Sequence, residues 1–162
     1  MVTANDYLLR CVELATEALE AGDAPFGSVL VDQYGQLLRE DRNRVNTVNK
    51  TYHPEIELAR WAAQNLSQAE RKNSVMYTSG EHCPMCSAAH GWAELGKVVY
   101  IHSTQHLVSW YEEFGVTGSR VKQLPINEIV PQLRVEGPAE ALLPAMYQLH
   151  KRYIASKQKQ AG

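Results

Sequence analysis

Two short segments constrain this chain more than anything else in it: His53-Pro54-Glu55 and, 28 residues after that glutamate, Cys83-Pro84-Met85-Cys86. In each, a proline directly follows a residue able to bind metal, and proline's fixed φ suits the first turn of a helix. Thiolates at i and i+3 on such a turn face the same side, and the helix N-terminus favours their anionic form. An imidazole from the start of a second helix completes a Cys₂His set, which suits zinc and leaves its fourth tetrahedral position for water. The fold must therefore bring two helix starts to one point. Glu55, two residues past His53, is placed to reach that water as general acid and base without becoming a ligand. Zinc at such a site lowers the pKa of water from about 15.7 to near 7. Two other readings of the same residues stand beside this one. A fourth ligand from His82, His90 or His102 would make a structural zinc site in a binding module, and a redox pair would need only Cys83 and Cys86.

The rest of the chain supplies alternating elements. Helical apolar spacing over 5–21 predicts an opening helix closed by Gly22, with Cys11 on its apolar stripe as a core residue. Phe26 to Val31 reads as a buried strand, Gln33 to Gln36 as a tight turn and Leu37 to Glu40 as the hairpin partner. A helix follows from Pro54, with Ile56, Leu58, Ala59, Ala62, Ala63 and Leu66 on its apolar face. Strands over Ser74–Thr78 and Lys97–His102 flank a helix that opens at Cys83-Pro84 and ends at Gly96. This alternation predicts an α/β domain with a central sheet flanked by helices, mostly parallel after the first hairpin. Over 103–137 the periodicity weakens to a long loop, with Trp110, Tyr111, Glu112, Glu113 and Phe114 as an aromatic and acidic cluster. A loop this long is more often functional than idle. Residues 138–157 predict a final amphipathic helix with a basic end.

At 162 residues the chain fits one domain, 1–162, large enough to bury a core without staples. The formal net charge of −2 offers no general attraction to a polyanion and argues against nucleic acid as an obligate partner. The start, MVTANDYLLR, lacks the basic head and apolar run of a signal peptide. No stretch reaches the roughly 18 apolar residues that span a bilayer, so a cytoplasmic protein is expected, with no membrane partner. Three cysteines, an odd count, argue against a disulfide framework.

These motifs resemble the cytidine deaminase-like superfamily, whose zinc signature is HxE…PCxxC, and within it the bacterial guanine deaminases and their relatives. The likeness runs through Ala24-Pro25-Phe26-Gly27, Asn43, His53-Pro54-Glu55, Tyr77-Thr78-Ser79, Glu81, Cys83-Pro84-Met85-Cys86 and Trp92-Ala93. It implies a three-layer α/β/α sandwich on a mixed five-stranded sheet and a homodimer. It also implies one Zn²⁺ per subunit on His53, Cys83 and Cys86, with Glu55 moving protons. It further implies that Phe26, Asn43, Pro54 and Trp92 meet a nucleobase-like substrate, and that Glu112 or Glu113 accepts N–H donors on the base edge. The chain departs from the family pattern in carrying proline at Pro54, which removes a backbone N–H, and histidine at His82. The latter adds a proton carrier or a fourth ligand beside the metal, or else an exposed loop residue.

The implied reaction is hydrolytic deamination of a free base such as guanine, releasing ammonia, with cytosine, isocytosine and aminotriazine rings as alternatives. A tRNA adenosine deaminase is the other reading of the same motif. The lysines and arginines at 151–159 keep it open against the acidic net charge, because RNA binding normally uses basic surface.

Overall fold

The computed structural model describes residues 1–161. Its first helix, α1 (Ala4–Glu20), opens on a reciprocal cap in which Thr3 accepts from the Asp6 N–H and Asp6 accepts from the Thr3 N–H. It buries Tyr7, Leu8, Cys11, Leu14, Ala15 and Ala18 at helical spacing. Cys11 is fully enclosed, and burial pushes its thiol up, so it serves the core.

The sheet contains β1 (Gly27–Val31), β2 (Leu37–Arg42), β3 (Val75–Gly80), β4 (Lys97–His102) and β5 (Val135–Glu136), in the order β2-β1-β3-β4-β5. β1 pairs antiparallel with both β2 and β3, and the parallel part, β3 to β4 to β5, begins only there. The sheet is thus mixed and five-stranded, and after the first hairpin it is mostly parallel, as the alternation of elements predicts, with the β1–β3 pair as the antiparallel exception.

Strand alternation sorts the core into two layers. Val29, Val31, Tyr77, Val99 and Ile101 pack with α1 and with Met146 and Leu149 of the last helix, α7 (Leu143–Ala161). Leu30 and Met76 face the other way, onto Leu58, Ala59 and Ala62 of α2 (Pro54–Asn65). That layer also holds α4 (Pro84–Trp92), which packs against α2. Leu58 is fully buried, and its replacement by alanine costs about 2–5 kcal/mol. Because side chains two apart share a face, Ser28 and Thr78 point to the same side as Leu30 and Met76, toward α2. A three-layer α/β/α sandwich results. The close approach of α1 at the mouth of β1 requires Gly27, since an added Cβ would lie 2.7 Å from the Cys11 carbonyl oxygen.

Three boundaries differ from the sequence-based expectation. Residues 103–137 contain α5 (Thr104–Glu113), α6 (Ile126–Ile129) and β5 rather than one loop. The α5 helix is announced by a cap, Ser103 with His106, rather than by a stripe, since Thr104 alone is buried on it. α4 stops at Trp92, four residues before Gly96, where Glu94 takes φ 56°. The final helix starts at Leu143 rather than at 138, because the chain first pairs Ala139 N–H with the Ile101 carbonyl and makes a 3₁₀ turn over Glu140–Leu142. The short α3 (Gln68–Lys72) links α2 to β3. Among the described residues no helix is long and apolar enough to cross a membrane.

Candidate metal centre and the cavities beside it

His53 and Cys83 are the N-cap residues of α2 and α4, both in extended backbone geometry and neither using its side chain as a cap. The imidazole and thiol are therefore free to meet where the two helix starts converge. His53 Nδ1 lies 3.5 Å from Cys83 Sγ and 3.6 Å from Cys86 Sγ. Bonds of about 2.0–2.1 Å to nitrogen and 2.3 Å to sulfur at the tetrahedral angle set N and S about 3.6 Å apart, so the donor set fits zinc without rearrangement. The three ligand atoms all lie within 4.8 Å of one another, and among the described residues no fourth histidine, cysteine or carboxylate joins the group. The hydrogen bond from Cys86, helped by His53, holds the Cys83 thiol down against desolvation. Burial pushes Cys86 up.

Glu55 lies two residues into α2, only 4% exposed. Its Oε1 is 3.3 Å from both the Ser28 and Thr78 hydroxyls, which are themselves 2.8 Å apart. Burial raises its pKa, against the pull of nearby His53, so the carboxyl is poised to accept and return a proton. The group opens on a small cavity of about 50 Å³ lined by Phe26, His53, Glu55, Glu81, Cys83, Thr104, Leu107 and Gln123. A larger cavity of about 470 Å³ shares Leu107 and Gln123 with it and is lined further by Tyr111, Glu112, Val116 and Ser119.

The other residues singled out from the sequence fall in different places. Phe26 lines the small cavity. Asn43 is buried beside it, its N–H donating to the Phe26 carbonyl at 3.0 Å and its Oδ1 accepting from the Val45 N–H at 2.9 Å. Pro54 is buried at the first turn of α2 and does not line either cavity. Trp92 is not brought to the site: at the end of α4 it is 88% exposed. Glu112 faces the larger cavity, whereas the Glu113 carboxylate accepts from the Tyr147 hydroxyl of α7 at 2.7 Å.

His82 is not an exposed loop residue and, though it directly precedes Cys83, does not join the metal group. It is fully buried, edge-on to His90 at 5.1 Å, and His90 in turn meets the Gly96 carbonyl at 2.8 Å. Burial, with His90 beside it, holds His82 well below its ordinary pKa. Ser28, Leu107 and Gln123 escape notice in the sequence, and Thr78 stands out there only as part of the Tyr77-Thr78-Ser79 likeness. Only the two hydroxyls leave a trace there, as polar residues inside otherwise apolar strands.

The family profile described as the cytidine and deoxycytidylate deaminase zinc-binding region matches residues 1–102. The chain is 40% identical over 96 residues to the guanine deaminase of Bacillus subtilis, covering 58% of this chain and 61% of that protein. It is 32% identical over 98 residues to a tRNA-specific adenosine deaminase of Haemophilus influenzae, covering 59% and 57% respectively. The matched region thus spans about three fifths of the length of these relatives. A solved guanine deaminase from Nitrosomonas europaea superposes with a TM-score of 0.72 at 20% identity, over 96% of this chain and 86% of that one, and shares the fold.

Proposed function

Because the chain belongs to the family of the cytidine and deoxycytidylate deaminase zinc-binding region, we propose that it hydrolyses the exocyclic amino group of a free nucleobase, with guanine as the preferred substrate, and releases ammonia. The observation that carries this reading is the meeting of His53, Cys83 and Cys86 at a cavity that also exposes the buried Glu55. These three side chains would hold one zinc ion per chain. When bound, zinc supplies Lewis acidity that makes water a nucleophile near neutral pH.

The chain's own residues handle the protons and the base. Glu55 takes a proton from water as the water oxygen bonds to the amidine carbon, delivers it to the adjacent ring nitrogen, and then helps protonate the amine as its carbon–nitrogen bond breaks. Its Oε1 is held by Ser28 and Thr78, so the other oxygen is the one that turns toward the reacting atoms. Phe26 offers an apolar wall to the ring, and Asn43, next to it, steadies that wall and presents an amide to the base edge. Glu112 accepts N–H donors of the base, which favours guanine over rings without them. Glu113 is committed to Tyr147 and is left out of this assignment.

The reading extends to a cytoplasmic homodimer acting in purine metabolism, by likeness to the guanine deaminases. The likeness to a tRNA-specific adenosine deaminase supports a second reading, in which the substrate is an adenosine in an RNA loop. An ammonia-release screen over guanine, isocytosine, cytosine, adenine, their nucleosides and a tRNA anticodon stem-loop separates the two. Turnover of guanine is expected. Turnover of the stem-loop alone would replace the free-base reading with the RNA one.

A further inference from the structure

Glu81 directly follows β3 and stands two residues before Cys83. Its backbone N–H donates to the His102 carbonyl at 2.8 Å, which fixes it where β3 and β4 end side by side. From there its carboxylate spans two other elements: Oε1 accepts the Thr104 N–H at 2.9 Å and Oε2 the Ile126 N–H at 2.7 Å. Both donors sit at the first positions of α5 and α6, where backbone N–H groups have no partner within the helix. One side chain therefore ties the starts of both helices to the strand end that leads into the metal centre.

The segment between those helices closes the larger cavity with Val116, Ser119 and Gln123. Its own hydrogen bonds are local: Gly115 and Val116 donate to carbonyls of α5, and Gln123 folds back on Ser119 and Val121. Among the described residues, the hydrogen bonds of 115–123 stay within 111–123. The position of this roof is thus inherited from α5 and α6, whose starts Glu81 ties to the strand end.

We propose that Glu81 is a positioning residue that holds the roof of the substrate cavity in register with the metal centre, an inference that rests on the deaminase reading for what the cavity binds. A carboxylate is required because each oxygen accepts one N–H. A glutamine would keep one acceptor and turn an N–H₂ group against the other donor. Glu81 also lines the small cavity, but each of its oxygens is engaged by a helix N–H, so it acts through α5 and α6 rather than on the reacting atoms.

The test uses the zinc-loaded full chain with two separate substitutions, Glu81→Gln and Thr104→Pro. The second leaves the carboxylate in place and removes one of its donors. Proline is tolerated at a first helical position, and Ser103 before it already has the extended ψ of 167° that proline demands. In both variants, hydrogen exchange over 104–113 and 126–130 should accelerate on the order of tenfold, with β1 and β3 unchanged and zinc content retained. In both, kcat/KM for guanine should fall on the order of tenfold, most of it through KM.

Wild-type exchange in both variants would overturn the proposal. So would a kinetic loss confined to Glu81→Gln, since that would mean direct contact with substrate or metal, and so would loss of protection throughout the chain in both variants. If Glu81→Gln does not fold, Thr104→Pro alone decides. If no base is deaminated by the wild-type chain, the deaminase reading fails, and exchange still decides whether the clamp exists.

Discussion

Ser28 and Thr78 stand opposite each other in the antiparallel pair of β1 and β3, their hydroxyls 2.8 Å apart, and both reach the same oxygen of Glu55 at 3.3 Å. Two hydroxyl protons serve three contacts, so the pair can donate to an ionised Glu55 and can accept from a protonated one. Removing both hydroxyls in a Ser28→Ala, Thr78→Val double variant strips the carboxyl of its orienting partners without altering the metal ligands. A hydrogen bond to a charged group contributes about 1.5–3 kcal/mol, so kcat for guanine should fall on the order of tenfold to a hundredfold while zinc content stays that of the wild type. Atomic absorption and steady-state kinetics on one preparation check both halves.

Glu55 itself separates metal binding from turnover. Glu55→Gln keeps the shape and the contact to Ser28 and Thr78 but cannot carry a proton, so turnover should drop on the order of 10² to 10⁴-fold. Zinc should remain bound at one equivalent, because His53, Cys83 and Cys86 are untouched. Wild-type turnover in this variant would remove the proton shuttle from the mechanism.

Glu112 and Glu113 are neighbours in sequence with divided duties, which predicts opposite outcomes for the same change. Glu112→Gln should raise KM for guanine by about tenfold or more, since a buried N–H donor of the base loses a charged acceptor. Glu113→Gln loses only an exposed bond to Tyr147, and its kinetics should stay within about twofold of wild type, as most surface changes do. Equal effects of the two changes would remove Glu112 from base recognition.

The candidate metal group is legible in the sequence because His53, Cys83 and Cys86 lie at the two helix starts marked by Pro54 and Pro84, and a helix start dictates where its first side chains point. The central strands are legible for a similar reason: Val29 to Val31 and Val98 to Ile101 are apolar runs bounded by turn residues. The roof is not. On α5 the one buried residue is Thr104, so its helical state depends on the Ser103 cap and on packing of Trp110 against the α7 layer, neither of which leaves a periodic trace. Trp92 misleads for the opposite reason. Its place in the motif points to a pocket, but α4 ends there and the side chain leaves the domain surface. The split between Glu112 and Glu113 depends on the rotation of α5, which motif spacing alone does not fix.

Asp23 couples the stability of the fold to the approach of His53. Its side chain is fully buried and accepts the N–H groups of Asn46 and Thr47 at 2.8 and 2.9 Å, the Thr47 hydroxyl at 2.7 Å and Arg42 at 3.1 Å. Together these bonds anchor the segment between Asn43 and His53. Burial pushes its pKa up, but the Thr47 hydroxyl, the two N–H donors and Arg42 outweigh that, and the carboxyl lies below its ordinary value of 3.8. A carboxylate held lower in the folded state contributes stability that is fully present above its unfolded pKa and is lost as pH falls through the folded one. Asp23→Asn should therefore destabilise the chain by about 1.5–3 kcal/mol in urea unfolding near pH 7, where the wild-type carboxylate is charged. The gap between the two proteins should be steady from pH 7 to about 5 and should narrow below about pH 4, as the wild-type group takes up its proton. Because the freed segment ends at His53, the variant should also bind zinc more weakly, measured by competition with a chelator. A gap that stays constant down to pH 3 would mean that Asp23 acts through its shape and not through its charge.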